Sequence, residues 1–193
     1  MLRRPESYKI DISSIELLEK IPSKSGWRER EKYFIPAVSS SLEELESLKT
    51  TRNNSLGAFK PKSVEDFIIE DDSGEWNEKQ QKVLQQTSLF KQDKSILKKV
   101  PYKFRYLFHC SDKECNGHDI QIFDWETAQS YWRFKNLYKD ENLTKQKLRE
   151  KWLNYFFQKR ESFFVVGTDS RWNKFIILTI VSPKRKTDQL PLF

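Results

Sequence analysis

Hydrophobic patterning is strongest between Pro101 and Val181, where period-two alternation gives way to helical spacing and then returns. Tyr102, Phe104, Tyr106 and Phe108 alternate with Lys103, Arg105, Leu107 and His109, which predicts a strand with one aromatic face. Ile120-Gln121-Ile122-Phe123 is short and β-branched and predicts the return strand of a hairpin. Asp124 is placed to cap a helix carrying Trp125, Ala128, Trp132 and Phe134 or Lys135 on adjoining faces. A second helix, from Asn142 or Thr144, sets Leu148, Trp152, Tyr155 and Phe156 on one apolar stripe facing a core. Phe163 to Val166 and Phe175 to Val181 predict two closing strands, the second apolar on both faces and therefore central.

Upstream the pattern weakens. Tyr8 to Ile12 predicts a short strand, and Ser13 or Ser14 a cap for a helix carrying Ile15, Leu18 and Ile21 up to Pro22. Gly26 to Ile35 reads as a turn leading into a strand. Ser41-Leu42-Glu43-Glu44 has capping-box spacing and opens a helix through Leu45 and Leu48 that Asn53 and Asn54 end. Val64 to Glu70 predicts another strand. From Asp71 to Lys99 the composition turns acidic, then glutamine-rich, then lysine-rich, as expected of a linker or long surface loop with one helix over Glu78 to Gln85. Together these predict an α+β fold: an antiparallel sheet with a loop-bearing hairpin and two amphipathic helices, plus a less regular N-terminal part. The expected divisions are 1–70, a polar linker at 71–100, a core domain at 101–183 and a basic tail at 184–193.

Candidate chemistry enters at the hairpin tip. The chain has two cysteines and two histidines, and all four lie between His109 and His118. Thiolate and imidazole at short spacing are the ligands zinc prefers, so Cys110, Cys115, His118 and His109 are the candidate ligands of a Zn²⁺ ion. Gly117 permits the tight backbone path. His109 adjoins Cys110, and neighbours on a strand point to opposite faces, so Asp112, Glu114, Asp119, Asp124 or a water are alternative fourth ligands. A water there would make the ion catalytic, with Asp124 or Glu126 as candidate bases; a full protein shell would make it structural, with Asp124 merely capping a helix. The spacing is neither that of the zinc deaminases, nor of a ribbon with two cysteine pairs, nor of a finger with one pair of each ligand.

The run Cys110 to His118, Asp124-Trp125-Glu126 and Phe163 to Thr168 resembles a family of bacterial proteins with a Cys-x4-Cys-x-Gly-His loop, an Asp-Trp-Glu and a Phe-Phe-x-x-Gly-Thr strand. The likeness spans most of the chain and implies no activity. Related chains are longer at the N-terminus, which raises the expectation of an ancillary domain absent from this chain.

The C-terminal Gln189-Leu190-Pro191-Leu192-Phe193 resembles the pentapeptide by which bacterial replication and repair proteins dock on the DNA sliding clamp. The resemblance implies that Leu190, Leu192 and Phe193 bind apolar surface while Gln189 hydrogen-bonds at its rim. Gln86-Thr87-Ser88-Leu89-Phe90 repeats the pattern through Gln86, Leu89 and Phe90. One Gln-x-x-Leu-Phe match arises by chance in roughly a few per cent of chains this long, and two far less often. The competing expectation is that both Leu-Phe pairs anchor back on the domain.

A net charge of +7 with 33% charged residues favours a polyanion, nucleic acid before membrane and DNA before RNA. Candidate phosphate contacts are Lys98, Lys99, Lys103, Arg105, Lys145, Arg149, Arg171, Lys184, Arg185 and Lys186, although solvated helix faces explain such residues equally well. Trp172 beside Arg171, or Trp27 beside Arg28, could stack on bases or belong to the core. No Walker loop, Gly-x-Gly-x-x-Gly or Gly-x-Ser-x-Gly supports nucleotide hydrolysis or serine chemistry. With no leader pattern and no apolar run of membrane length, a reducing bacterial cytoplasm is the expected compartment. The function expected is a zinc-stabilised nucleic-acid-binding accessory protein tethered to the sliding clamp. The alternatives are a metal-dependent nuclease, built on the zinc loop or on Asp66, Glu70, Asp71 and Asp72, and an RNA- or protein-binding subunit of a larger complex.

Overall fold

The computed structural model describes residues 11–18, 20–21, 27–82, 98–169 and 172–185. Its centre is a seven-stranded sheet of β1 (Val38–Ser39), β2 (Leu56–Phe59), β3 (Ser63–Asp71), β4 (Tyr102–His109), β5 (His118–Ile122), β6 (Phe163–Thr168) and β7 (Phe175–Val181). The spatial order is β1-β2-β6-β7-β5-β4-β3. Strands on both sides of 71–100 therefore join one sheet, so that stretch does not divide the protein into two separately layered parts. The sheet is mixed and not antiparallel throughout: β1 pairs with β2, and β5 with β7, in parallel. The central position expected for 175–181 holds, since β7 is the fourth strand of the seven. Its second face stays open enough to leave Leu178 exposed.

β2 and β3, second and last in that order, are joined by residues 60–62 alone, a reach of at most about 14 Å. The sheet must therefore curl on itself. The rings agree, with Phe59 of β2 lying 5.6 Å from Phe108 of β4. The predicted aromatic face of β4 forms the core, with Phe104, Tyr106 and Phe108 all buried. Phe67 of β3 and Phe164 of β6 pack into the same cluster, their rings tilted against Tyr106.

Besides the helical stretch at 78–82, the described helices are α1 (Arg28–Phe34), α2 (Leu42–Arg52), α3 (Trp125–Tyr138) and α4 (Glu141–Arg149), the last continuing as a π-helix over Glu150–Gln158. Leu148 and Trp152 are buried as their stripe predicts, while Tyr155 turns outward. The π-segment plugs the curl: Trp152 and Phe157 pack on Phe67 and Tyr106, and Tyr106 Oη donates to Trp152 O at 2.7 Å. Asp124 caps α3 by accepting from Glu126 N at 2.6 Å, and Ser41 caps α2 by accepting from Glu44 N at 3.1 Å. Asn53, in the left-handed conformation, ends α2 as expected.

Two N-terminal expectations are corrected. Arg28–Phe34 is a helix, not a strand. Its alternating Arg and Glu residues form helix readily, and Pro36 then starts a 3-10 turn over Ile35–Ala37. The helix expected through Ile15 and Leu18 shrinks to a 3-10 turn at Ile12–Ser14 capped by Asp11, because the following apolar side chains find no cover and stay exposed. Most of the strand expected at Tyr8–Ile12 lies outside the described residues. Of the helix expected over 78–85, residues 78–82 are helical, opened by reciprocal hydrogen bonds between Asn77 and Gln80. The remainder lies outside the described residues.

Candidate metal centre

The loop from Cys110 to Gly117 joins β4 to β5, so strand pairing alone brings its two ends together: Phe108 sits opposite His118. Cys110 N donates to Cys115 Sγ at 3.1 Å, which curls the loop, and Cys115 Sγ lies 3.3 Å from His118 Nε2. Gly117 has φ of 90°, and a Cβ there would lie 3.1 Å from the His109 ring. Glycine is thus favoured by the conformation, and a Cβ would also crowd the His109 ring.

The fourth member comes from elsewhere. Glu43, in the first turn of α2, brings Oε1 to 2.8 Å from His118 Nε2. The ligand atoms of Glu43, Cys110, Cys115 and His118 all lie within 4.8 Å of one another. α2 is seated for this by Leu42 and Leu45, both buried, and by Gly57 of β2, where any Cβ would overlap the Leu45 side chain. The helix start also faces the site, with Leu42 N donating to Cys110 Sγ at 3.4 Å, so backbone dipoles favour a thiolate there. Glu44 is occupied in capping, accepting from Ser40 N at 2.7 Å, and that leaves Glu43 as the spare acid of the turn.

The electrostatics suit a cation. Burial, reinforced by the charge of Glu43, pushes the Cys110 thiol up to about 12. Burial also works against the Glu43 carboxylate, yet its hydrogen bonds, those with Cys115 and His118 among them, hold it below the usual carboxylate value. Its other oxygen, Oε2, is buried with no hydrogen-bond partner. An unpaired buried carboxylate oxygen is costly, and a divalent ion inverts that balance by stabilising thiolate and carboxylate together. The spacing fits as well. Zinc bonds of about 2.3 Å to sulfur and 2.0–2.1 Å to nitrogen at a tetrahedral angle set the two ligand atoms about 3.5 Å apart, close to the 3.3 Å between Cys115 and His118.

His109 is corrected out of the expected ligand set. Its ring turns to the opposite face, where Nε2 lies 2.8 Å from Glu65 Oε1, as neighbouring strand residues must. Asp112 caps its own turn by accepting from Glu114 N at 2.9 Å, and Asp119 pairs with Arg105. Asp124 and Glu126 lie beyond the far end of β5, whose five residues span about 16 Å. Asp124 is committed there to the cap of α3 and to Thr179 Oγ1, which donates to it at 2.5 Å.

Most of the candidate phosphate contacts are tied internally. Lys99 lies 3.1 Å and Lys103 3.6 Å from Asp72, Arg105 3.1 Å from Glu70 and Lys145 3.5 Å from Asp71. Arg149 pairs with Asp66, and Lys98 sits over the Trp132 ring at 4.2 Å. The same pairs distribute Asp66, Glu70, Asp71 and Asp72 among separate cations. They do not gather as one cluster, and the Glu43–Cys110–Cys115–His118 group is the metal-capable cluster found among the described residues. Lys184 and Arg185 are exposed. Trp172 is 63% exposed, whereas Trp27 packs edge-on against Phe34. Arg171, Lys186 and every residue of the two Gln-x-x-Leu-Phe segments lie outside the described residues. No described helix is long and apolar enough to cross a membrane.

The profile of one family, described as a domain of unknown function (DUF8757), matches residues 38–193. That span contains all four members of the cluster. No curated protein and no solved structure matches the chain.

Proposed function

The chain belongs to the DUF8757 family, and we propose that this member is a zinc-stabilised nucleic-acid-binding accessory protein tethered to a bacterial DNA sliding clamp. The observation that carries the metal is the convergence of Glu43, Cys110, Cys115 and His118 within 4.8 Å. Two sulfurs, one imidazole and one carboxylate suit zinc far better than calcium or magnesium, which take oxygen shells. Four protein ligands close the shell, so the ion is structural. When bound it supplies one positive charge centre shared by α2, the end of β4, the loop and the start of β5. Glu43 anchors the helix to the hairpin, Cys110 and Cys115 hold the loop, and His118 fixes the return strand.

The partner half of the proposal rests on the charge of +7 and on the paired Gln-x-x-Leu-Phe segments. Two such segments on one chain would add avidity on a ring-shaped clamp. Metal analysis of protein purified without added zinc tests the first half. One zinc per chain is expected, with loss in Cys115→Ser; a metal-free parent that is fully folded sinks it. A pull-down on a bacterial sliding clamp tests the second, with Gln189, Leu192 and Phe193 changed to alanine. Capture is expected from the parent and not from the variant, and equal capture of both removes the tether.

A further inference from the structure

If nucleic acid is the partner, as proposed above, the surface that carries it should hold cations that no carboxylate already neutralises. The β3–β4 side fails this test, since Lys99, Lys103, Arg105 and Arg149 are each paired with an acid. A different place meets it. An open groove of about 630 Å³ runs between residues 60–65, the end of the π-helix with residues 160–162, and Arg185. Lys60, Lys62, Arg160 and Arg185 line it, together with Leu153 and Phe157.

The two arginines are held by neutral acceptors. Arg160 donates Nε to Ser182 O at 2.7 Å and one terminal nitrogen to Tyr155 Oη at 3.0 Å. Arg185 donates to Arg160 O and Phe157 O, both at 3.3 Å. Each guanidinium is therefore oriented while keeping its full charge and further N–H donors for a ligand. Lys62 has no side-chain partner among the described residues, while its backbone N–H donates to His109 O at 2.8 Å. Of the groove's acids, Glu161 pairs with Lys60 at 2.8 Å, while Glu65 lies 2.8 Å from His109 Nε2, and with Lys62, Arg160 and Arg185 the cations outnumber the acids. Beside the cations, Arg160 lies over the half-exposed Tyr155 ring at 5.5 Å. Cations along a groove with apolar and aromatic surface beside them match the way single strands are bound, by backbone charge and base stacking.

We propose that this groove binds single-stranded nucleic acid, with Lys62, Arg160 and Arg185 on the phosphates and Tyr155 beside the bases. The hydrogen bond from Lys62 N to His109 O ties one wall to the last residue of β4, next to Cys110, so the metal knot steadies the groove. Lys60, Lys62 and Arg160 escape notice in the sequence because they are scattered among ordinary surface charges; only the curl of the sheet gathers them.

The test is fluorescence anisotropy of the full-length, zinc-loaded chain with labelled oligothymidylate, oligouridylate and a duplex, titrated across salt. The parent should bind the single strands more tightly than the duplex. Changing Lys62 and Arg185 to alanine removes two phosphate contacts and should flatten the slope of log affinity against log salt by about 1.4. Lys103→Ala with Lys145→Ala, on the paired side, should leave it unchanged. Lys62→Glu alone provides a fold-neutral check, since that side chain is exposed, and it should weaken binding of the single strands. A parent that binds no oligonucleotide overturns the nucleic-acid reading itself. A parent that binds while the groove variants match it, or that prefers the duplex, overturns the groove alone.

Discussion

The two ends of the β4–β5 hairpin are closed by opposite kinds of chemistry. At the Phe104–Ile122 end, the carboxylates of Asp124 and Glu141 have found partners, although Thr127 Oγ1 of α3 is buried without one. Asp124 caps α3 and receives Thr179, while Glu141 accepts from Tyr102 Oη at 2.7 Å and Tyr131 Oη at 3.2 Å and pairs with Lys135. At the Phe108–His118 end, two sulfurs, an imidazole and a carboxylate crowd together, and Glu43 Oε2 is left buried without a partner. A satisfied network rigidifies a fold by itself, whereas an unsatisfied cluster of acceptors is costly until a cation joins it. The difference marks the end with Glu43, Cys110, Cys115 and His118 as the one arranged to take a cation.

The sharpest way to break the comparison is to deny the proposed ion its site. Cys115→Ser, or a strong chelator on the parent, should lower the melting midpoint; an ion present at a thousand times its Kd contributes about 4 kcal/mol to folding. A calorimetric or circular-dichroism melt that is insensitive to chelator would show the two ends to be alike. Next in size is Gly57→Ala. It forces α2 off β2 through Leu45, at a cost of about 1–3 kcal/mol, and should weaken zinc binding as well because Glu43 rides on that helix. Competition with a chromogenic chelator would read the affinity. Asp124→Ala attacks the satisfied end. Loss of the cap should cost about 0.5–2 kcal/mol by denaturant titration while zinc content stays at the parental level. If metal is lost too, the two ends are not independent.

The smallest effect concerns pH. Although burial alone would push Glu141 up, its bonds to Lys135, Tyr102 and Tyr131 hold it below its ordinary value of 4.5. A lowered folded value means its contribution is present at higher pH and fades as pH falls through that value, below about 4.5. Glu141→Gln should therefore be less stable than the parent at neutral pH, with the gap narrowing in acid. Urea midpoints measured across that range would show it, and a constant gap would contradict it.

Much of the far end was legible in the chain because it is local. Asp124 precedes its helix by one residue, and the alternation from Tyr102 to Phe108 carries its own periodicity. The turn-and-strand expectation for 26–35 gives way to a helix because Tyr33-Phe34-Ile35 looks β-like, while the charged residues before it form helix. His109 was named a ligand by proximity in sequence and excluded by the alternation of side chains along β4.

What the sequence by itself determined, then, is the hairpin and three members of its knot: Cys110, Cys115 and His118 lie so close along the chain that a strand, a loop and a returning strand must bring them together. Only the tertiary structure decided the fourth. Glu43 stands 75 residues from His118 and looks like any acid in a capped first turn. Its role depends on Leu45 seating against Gly57 and on the curl of the sheet that carries α2 to the hairpin. The same curl decided which cations are spent on neighbouring acids and which face the groove. Such pairings are set by packing between distant segments, and no periodicity within one segment records them.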